Sequence, residues 1–201
     1  DALNLLYDRQ RKQYQIARQN VQIINRKCHE LKVQIADLRR LQPDEATTQS
    51  LDEAEQAARM YDANAATGNE VLDVVLTEKS LLCEAQRIRL NCVADGTCLA
   101  AIEPGDLYAL FSNLLDQAID AAAQQQNDRR MIDLLVCRRQ GFAVINVIGP
   151  ALSGSQSDHG RRHSYELKVA RRVVQKYSGT MATEPRGELF AVKIVMPLTR
   201  G

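Results

Sequence analysis

Tryptophan is absent from this chain, and its 201 residues carry only three Phe and six Tyr. Single-stranded nucleic acid is held by stacking bases on aromatic side chains, so this supply of rings is too thin for such a platform. Charge of one sign is missing too. Lys and Arg number 26 against 25 Asp and Glu, a formal net charge of +1, which offers no electrostatic argument for a polyanion partner. Long apolar runs are also lacking. Stretches such as Val71–Leu76 and Leu189–Met196 fall far short of the ~20 residues a membrane span needs. Asp1-Ala-Leu-Asn leads straight into an amphipathic stretch, with no charged-then-apolar leader. The five cysteines, Cys28, Cys83, Cys92, Cys98 and Cys137, are odd in number and contain no C-x-x-C. That count argues against a zinc site or a disulfide framework and reads as reduced thiols in a cytosolic protein. His29, His159 and His163 are too dispersed for a metal cluster.

What remains is ordinary soluble composition, 45% hydrophobic and 25% charged, which excludes collagen-like and wholly disordered chains. The length suits one globular domain plus an elongated part, or two small domains. The first forty residues hold no Gly or Pro. Leu3, Tyr7, Tyr14, Ala17, Val21, Ile24, Cys28, Leu31, Ile35 and Leu38 follow one heptad seam, with Gln10 its only polar interruption. Pro43 ends this helix. A second seam, Leu51, Ala54, Ala58, Tyr61 and Ala65, predicts an antiparallel return helix. A hairpin with two apolar seams and no core of its own predicts dimerisation as a four-helix bundle; packing of the hairpin on the rest of the chain is the alternative.

Beyond Gly68-Asn69 the texture changes. Val71–Glu84 reads as a helix and Ile88–Ala94 as a strand with Ile88, Leu90, Cys92 and Ala94 on one face. Pro104 opens a strong helix to about Gln125. Met131–Arg138 and Phe142–Ile148 form a hairpin around Gln140-Gly141, and Gly149–Arg162 reads as a mobile loop. Ser164–Tyr177 is a helix stopped by Ser178-Gly179, and Thr180–Glu184 with Glu188–Met196 closes the chain as a second hairpin. The order predicts an α+β fold with helices on one face of a mixed sheet.

Two places could carry chemistry. His29, beside seam residue Cys28, points outward and is followed by Glu30, a carboxylate able to hold an imidazole in one tautomer for nucleophilic attack. The bland reading is a surface histidine on an amphipathic helix. On the Pro104 helix, Asp106, Asn113, Gln117 and Asp120 form a polar stripe beside the apolar face of Leu107, Phe111, Leu114, Ala118 and Ala121. Such a stripe is either solvated surface or one wall of a ligand site.

The order of these parts resembles the cytoplasmic region of a sensor histidine kinase of the quorum-sensing type, with an ATP-binding domain of the GHKL, or Bergerat, superfamily. Cys28-His-Glu-Leu-Lys32 is similar to the phosphoacceptor box. Thr67-Gly-Asn-Glu70 through Cys83 is similar to the opening helix of the ATP-binding domain. Phe111-Ser-Asn-Leu-Leu-Asp-Gln-Ala-Ile-Asp-Ala121 resembles the N box, and His163-Ser-Tyr-Glu-Leu-Lys168 resembles the lid and the start of the following helix. The resemblance covers almost the whole chain. It implies a helical dimerisation and phosphotransfer hairpin over 1–67, and a Bergerat-type α/β sandwich over 68–201.

It also implies roles. His29 would attack the γ-phosphate of ATP with Glu30 as general base and Asn113 assisting. Asn113, Gln117, Gly149, His163, Ser164, Glu166 and Lys168 would line the nucleotide, and Asn113 with Gln117 would hold magnesium. The implied partners are a second copy of the chain and the receiver domain of a response regulator, with no direct nucleic-acid contact. The implied setting is the cytoplasmic side of a membrane-anchored bacterial sensor whose membrane region would precede Asp1. Several positions depart from the family pattern. Gln117 stands where the family places Asn, so its amide oxygen lies one methylene further out. Gly149 stands near where an acid or amide would read adenine. Ser164 and Glu166 replace two glycines, and Glu166 would bring negative charge towards a polyanion. Val33 replaces a polar residue four positions after the phosphoacceptor. These departures imply weakened nucleotide binding and leave two readings open: an autophosphorylating kinase, and a dimeric pseudokinase scaffold.

Overall fold

The structure, a computed structural model, describes residues 2–62, 66–152 and 158–198. Leu3, Tyr7 and Tyr61, as side chains, and Ala65 lie outside the described residues. Helix α1 spans Ala2–Arg40 without a break. Arg39 and Arg40 occupy its last turn, where positive charge suits the exposed carbonyls. After Pro43 the Asp44 carboxylate accepts the Thr47 N–H at 2.9 Å and caps α2, Glu45–Asp62. Cys28 and Ile35 of α1 are buried with Leu51 and Ala58 of α2 facing them across the hairpin. The Arg39 guanidinium bridges Asp52 and Glu55 on the return helix.

Helix α3, Glu70–Ala85, begins at Asn69, whose side chain accepts the N–H groups of Val71 and Leu72. Strand β1, Arg89–Ala94, is followed by a short 3-10 turn over Gly96–Leu99 that the sequence reading omits. Helix α4, Pro104–Ala123, has Pro in its first turn, where the missing N–H costs little. Strands β2, Met131–Arg139, and β3, Phe142–Pro150, form the expected hairpin. Helix α5, Asp158–Lys176, leads to the β4–β5 hairpin, Thr180–Arg186 and Leu189–Pro197. The five strands run β1-β2-β3-β5-β4, with β1 parallel to β2 and every other pair antiparallel. Crossover through α4 is what allows β1 and β2 to run parallel. The chain is thus α+β, with a mixed sheet whose inner face is covered by helices.

The inner face, Ile132, Leu134, Val136, Ile145, Val147 and Ile194, packs under Phe111, Leu114 and Leu115 of α4 and Val169, Val173 and Val174 of α5. Gly179, just past α5, has no room for a side chain: an added Cβ would lie 2.5 Å from Met196 and 2.9 Å from Val174. Its N–H returns to the Val174 carbonyl at 2.9 Å and closes the helix end.

Three expectations need correction. The segment 149–162 is not loop throughout. β3 continues to Pro150 because β5 supplies partners, Phe190 for Gly149 and Leu189 for Pro150. α5 starts at Asp158, in a run without an apolar residue to mark the helical period. The Ile88–Ala94 alternation also fails at Cys92, which is exposed on the edge strand. Finally, the long heptad seam of α1 does not face one partner. Tyr14, Ala17 and Val21 belong to the same core as α3 and α4, whereas Leu31 and Leu38 are 40% and 49% exposed.

Candidate functional site

His29 is exposed on the second half of α1, as its outward heptad position predicts. Glu30 beside it is engaged by Lys27, whose ammonium lies 2.8 Å from Oε2. Hydrogen bonding and attraction from Lys27 hold the Glu30 carboxyl below the usual glutamate range. As placed, Glu30 is an anion at neutral pH and a weaker base than a free glutamate.

The polar stripe of α4 is not solvated surface. Asp106 and Asn113 are completely buried and Gln117 nearly so. Asn113 meets α1: the Gln10 amide donates to Asn113 Oδ1 at 3.0 Å, and Asn113 Nδ2 donates back to Gln10 Oε1 at 2.5 Å and to the Ala109 carbonyl at 2.6 Å. The only polar residue in the α1 seam therefore pairs with a polar residue on an otherwise core-forming helix. Left unpaired, either amide would cost about 1–3 kcal/mol of desolvation.

Two turns towards the start of α4, Asp106 receives two hydrogen-bond donors and faces a further cation. The Tyr177 hydroxyl donates at 2.7 Å, Lys176 Nζ lies at 2.5 Å and Arg11 Nε at 3.5 Å. Tyr177 also accepts the Glu103 N–H at 2.9 Å, which occupies one of the free N–H groups at the start of α4. Arg11 reaches Glu103 as well, and the Tyr14 and Tyr108 rings meet at 5.7 Å between centroids. The hydrogen bond to Asp106 is the main cause that raises Lys176 above the ordinary lysine value. Burial, followed by the same carboxylate, raises Tyr177.

A second buried ion cluster lies between α3 and α4. Lys79, 5% exposed, reaches Asp116 at 2.8 Å and Glu78 at 3.1 Å, and the Tyr108 hydroxyl donates to Glu78 at 3.1 Å. Burial pushes the Asp116 carboxyl up, and Lys79 only partly offsets this. Burial likewise pulls Lys79 down, but Asp116 and Glu78 outweigh it and leave the lysine raised. Viewed from the lysine the pair is favourable, and from the aspartate it is not. The aspartate's direction is the one that follows from desolvation of a buried carboxylate, so Asp116 is the member that gives up its charge first on acidification.

The remaining expected site residues divide. Gly149 lies against α4: an added Cβ would meet Ala118 at 3.7 Å and Ile132 at 3.8 Å, ordinary contact distances. Gly149 thus packs against the Ala118 side of α4, whereas Asn113 faces α1. Packing does not force a glycine at 149; the position simply lacks a polar group. Glu166 is buried on α5. Lys168 is exposed, its ammonium 5.4 Å from the centre of the Tyr165 ring. The side chains of His163 and Ser164 lie outside the described residues. No group of three His, Cys, Asp or Glu suited to a metal occurs among the described residues. Asn113 Oδ1, the atom that would reach magnesium, accepts the Gln10 amide and is turned towards α1. Gln117, the other member of the expected pair, is buried on the same helix.

Sequence reasoning missed Arg11, Lys79, Asp116, Lys176 and Tyr177. A lysine within the apolar run of α3 was a signal for the second cluster; the α1–α5 partners of Asp106 had none.

Residues 102–197 match the family described as the GHKL domain. No curated protein matches the chain. Among solved structures, the nucleotide-free catalytic domain of histidine kinase ThkA is similar. One crystal form is 15% identical over 65% of this chain and 92% of that one, with a TM-score of 0.51. Another is 16% identical over 66% and 94%, with a TM-score of 0.50. At such identity the likeness is one of fold. Fold and family match together define a GHKL domain in the C-terminal part of the chain. A helical hairpin, α1 and α2, precedes this domain in the chain.

Proposed function

We propose that the chain is the phosphoacceptor and ATP-binding region of a two-component sensor kinase. In this reading His29 takes the γ-phosphate of ATP and passes it to an aspartate on a response-regulator receiver domain, on the cytoplasmic side of a bacterial membrane. The observation that carries it is the pairing of a GHKL domain over 102–197 with an exposed histidine on the preceding helical hairpin. His29 forms the N–P bond, the γ-phosphate leaves ADP, and the imidazole proton passes to a base. Glu30 is adjacent for that role once Lys27 releases it. Among the described residues no helix is long and apolar enough to cross a membrane.

Dimerisation belongs to the same proposal. Ile16, Ile23, Leu31 and Leu38 stand exposed along α1, a stripe that a second copy would cover.

A second reading, a pseudokinase scaffold, is favoured by one set of observations. Gly149 supplies no polar side chain, Gln117 replaces the shorter amide, and Asn113 pairs with Gln10. One experiment separates the two. Purified protein with Mg-ATP should acquire acid-labile, base-stable phosphate on His29 and none in His29→Gln, which keeps its fold because the position is exposed. Equal labelling of the variant removes His29 from the mechanism. No label on either protein, even with a phosphorylated regulator running the transfer backwards, leaves the scaffold reading.

A further inference from the structure

We infer that β1 is an interface, and that a second copy of this chain pairs with it edge to edge, antiparallel and centred on Cys92. The inference stands apart from the kinase reading. β1 lies at one edge of the sheet and is bonded on one side only, to β2. Because that pairing is parallel, alternate residues turn both backbone groups towards β2. The Arg89 N–H reaches the Arg130 carbonyl at 2.8 Å, and the Asp95 N–H reaches the Val136 carbonyl at 2.9 Å. The odd-numbered residues of β1 therefore face β2. Leu90, Cys92 and Ala94 present their N–H and C=O groups to the free edge.

Leu90–Ala94 carries none of the devices that keep such an edge from pairing. It holds no proline, glycine or charge, and Val93 stands 71% exposed on it. The opposite edge of the sheet is guarded, since β4 carries Glu184, Pro185 and Arg186. What fits β1 follows from its own sequence. When two copies lie antiparallel about Cys92, Leu90 faces Ala94 of the second copy and Cys92 faces Cys92. All three outward residues then exchange hydrogen bonds across the edge. The same register sets Arg89 directly opposite Asp95 of the second copy, and by symmetry does so twice. Asp95 continues the extended path of β1, at φ −98° and ψ 92°. Hydrogen bonds from Thr97 hold its carboxyl below the usual aspartate range. Sliding the second copy by two residues forfeits the end pairs. One shift sets Ala94 against Ile88, whose N–H is already given to the Cys83 carbonyl. The other sets Leu90 against Gly96, whose N–H goes to the Thr67 carbonyl. Charge and backbone thus select one register. Exposed Cys92 falls on the two-fold axis with about 5.5 Å between Cα atoms, a span that a short cross-link bridges. One strand pair makes a small interface, so association belongs near about 0.1 mM. Pairing through α1 and pairing through β1 are both isologous, so copies using the two faces link into larger assemblies.

The test uses the full chain carrying Ile23→Glu and Leu31→Glu, which disables the exposed α1 stripe and leaves β1. At about 0.5 mM, sedimentation should show mostly dimer, and a short bismaleimide should join Cys92 to Cys92. Exchange of the Leu90, Cys92 and Ala94 N–H groups should slow by about threefold between about 10 µM and about 0.5 mM. Arg89→Asp sets a carboxylate against Asp95 of the second copy. It should weaken association at least about fivefold and remove the cross-link, and Arg89→Lys should restore both. A monomer at about 0.5 mM overturns the proposal. A dimer that Arg89→Asp leaves intact, or a cross-link through another cysteine, overturns it too, because another face then joins the copies. If Arg89→Asp unfolds the chain, Val93→Lys, at an exposed position, is judged by the same criteria.

Discussion

The side-chain amides of Gln10 and Asn113 bond to each other reciprocally, at 3.0 and 2.5 Å, and join α1 to the helix at the centre of the catalytic fold. A matched pair of amides is worth little net, but half of one is expensive. Asn113→Leu or Gln10→Leu alone should each lower unfolding stability by about 1–3 kcal/mol. The double replacement should recover most of that, because neither polar group is then stranded. Urea unfolding of the four proteins measures the cycle. Simple additivity of the two losses would show that the amides do not depend on each other.

The nucleotide site should respond to repair. Wild-type chain is expected to bind Mg-ATP in the high micromolar range or more weakly. Gln117→Asn with Glu166→Gly should tighten binding by about 1–3 kcal/mol per site, one to two powers of ten each. Gly149→Ala should be tolerated, since a Cβ there meets only ordinary contacts. Calorimetry decides; tight binding by the unmodified chain would return the departures to the status of tolerated variation.

The exposed stripe on α1 makes a claim about mass. Sedimentation at micromolar concentration should give about twice the 22.5 kDa of the chain. Ile23→Glu with Leu31→Glu should give monomer without changing the catalytic fold, because Ile23 is 54% and Leu31 40% exposed in a single chain. A wild-type monomer would assign that stripe to something other than a second copy.

Alkaline pH should loosen the chain in a definite window. Lys176 and Tyr177 are raised from 10.5 and 10.0, while Cys83 is pushed up to about 11 and Tyr108 to about 12. Each folded-state value lies above its unfolded one, so the folded chain binds these protons more tightly. Their contribution is complete below pH 9 and is lost as pH rises through the folded values towards pH 12. Thermal unfolding followed from pH 8 to 12 should show Tm falling through this range. Phenolate absorbance should show Tyr108 ionising last, together with unfolding. A flat Tm up to pH 11 would mean that burial does not hold these protons.

The two helices of the hairpin, the Pro104 helix, both strand hairpins and the exposed position of His29 could be read directly along the chain. Each depends on local chemistry: an unbroken heptad, a proline in a first turn, turn residues between alternating runs. Resemblance to the family rested on short boxes within those same elements, which is why the GHKL assignment over 102–197 could be anticipated. Tertiary structure alone decided what the polar residues do. Gln10 as a flaw in a seam, and Asn113 as part of a stripe, acquire meaning only when α1 lies on α4 and the two amides meet. Asp106 stood in a stripe open to two readings, solvated surface or ligand-site wall, until Arg11 of α1 and Lys176 and Tyr177 at the end of α5 converged on it. Periodicity reports which side of a helix is apolar. It does not report which partner covers that side, because partners far apart in sequence are chosen by the summed fit of the whole core.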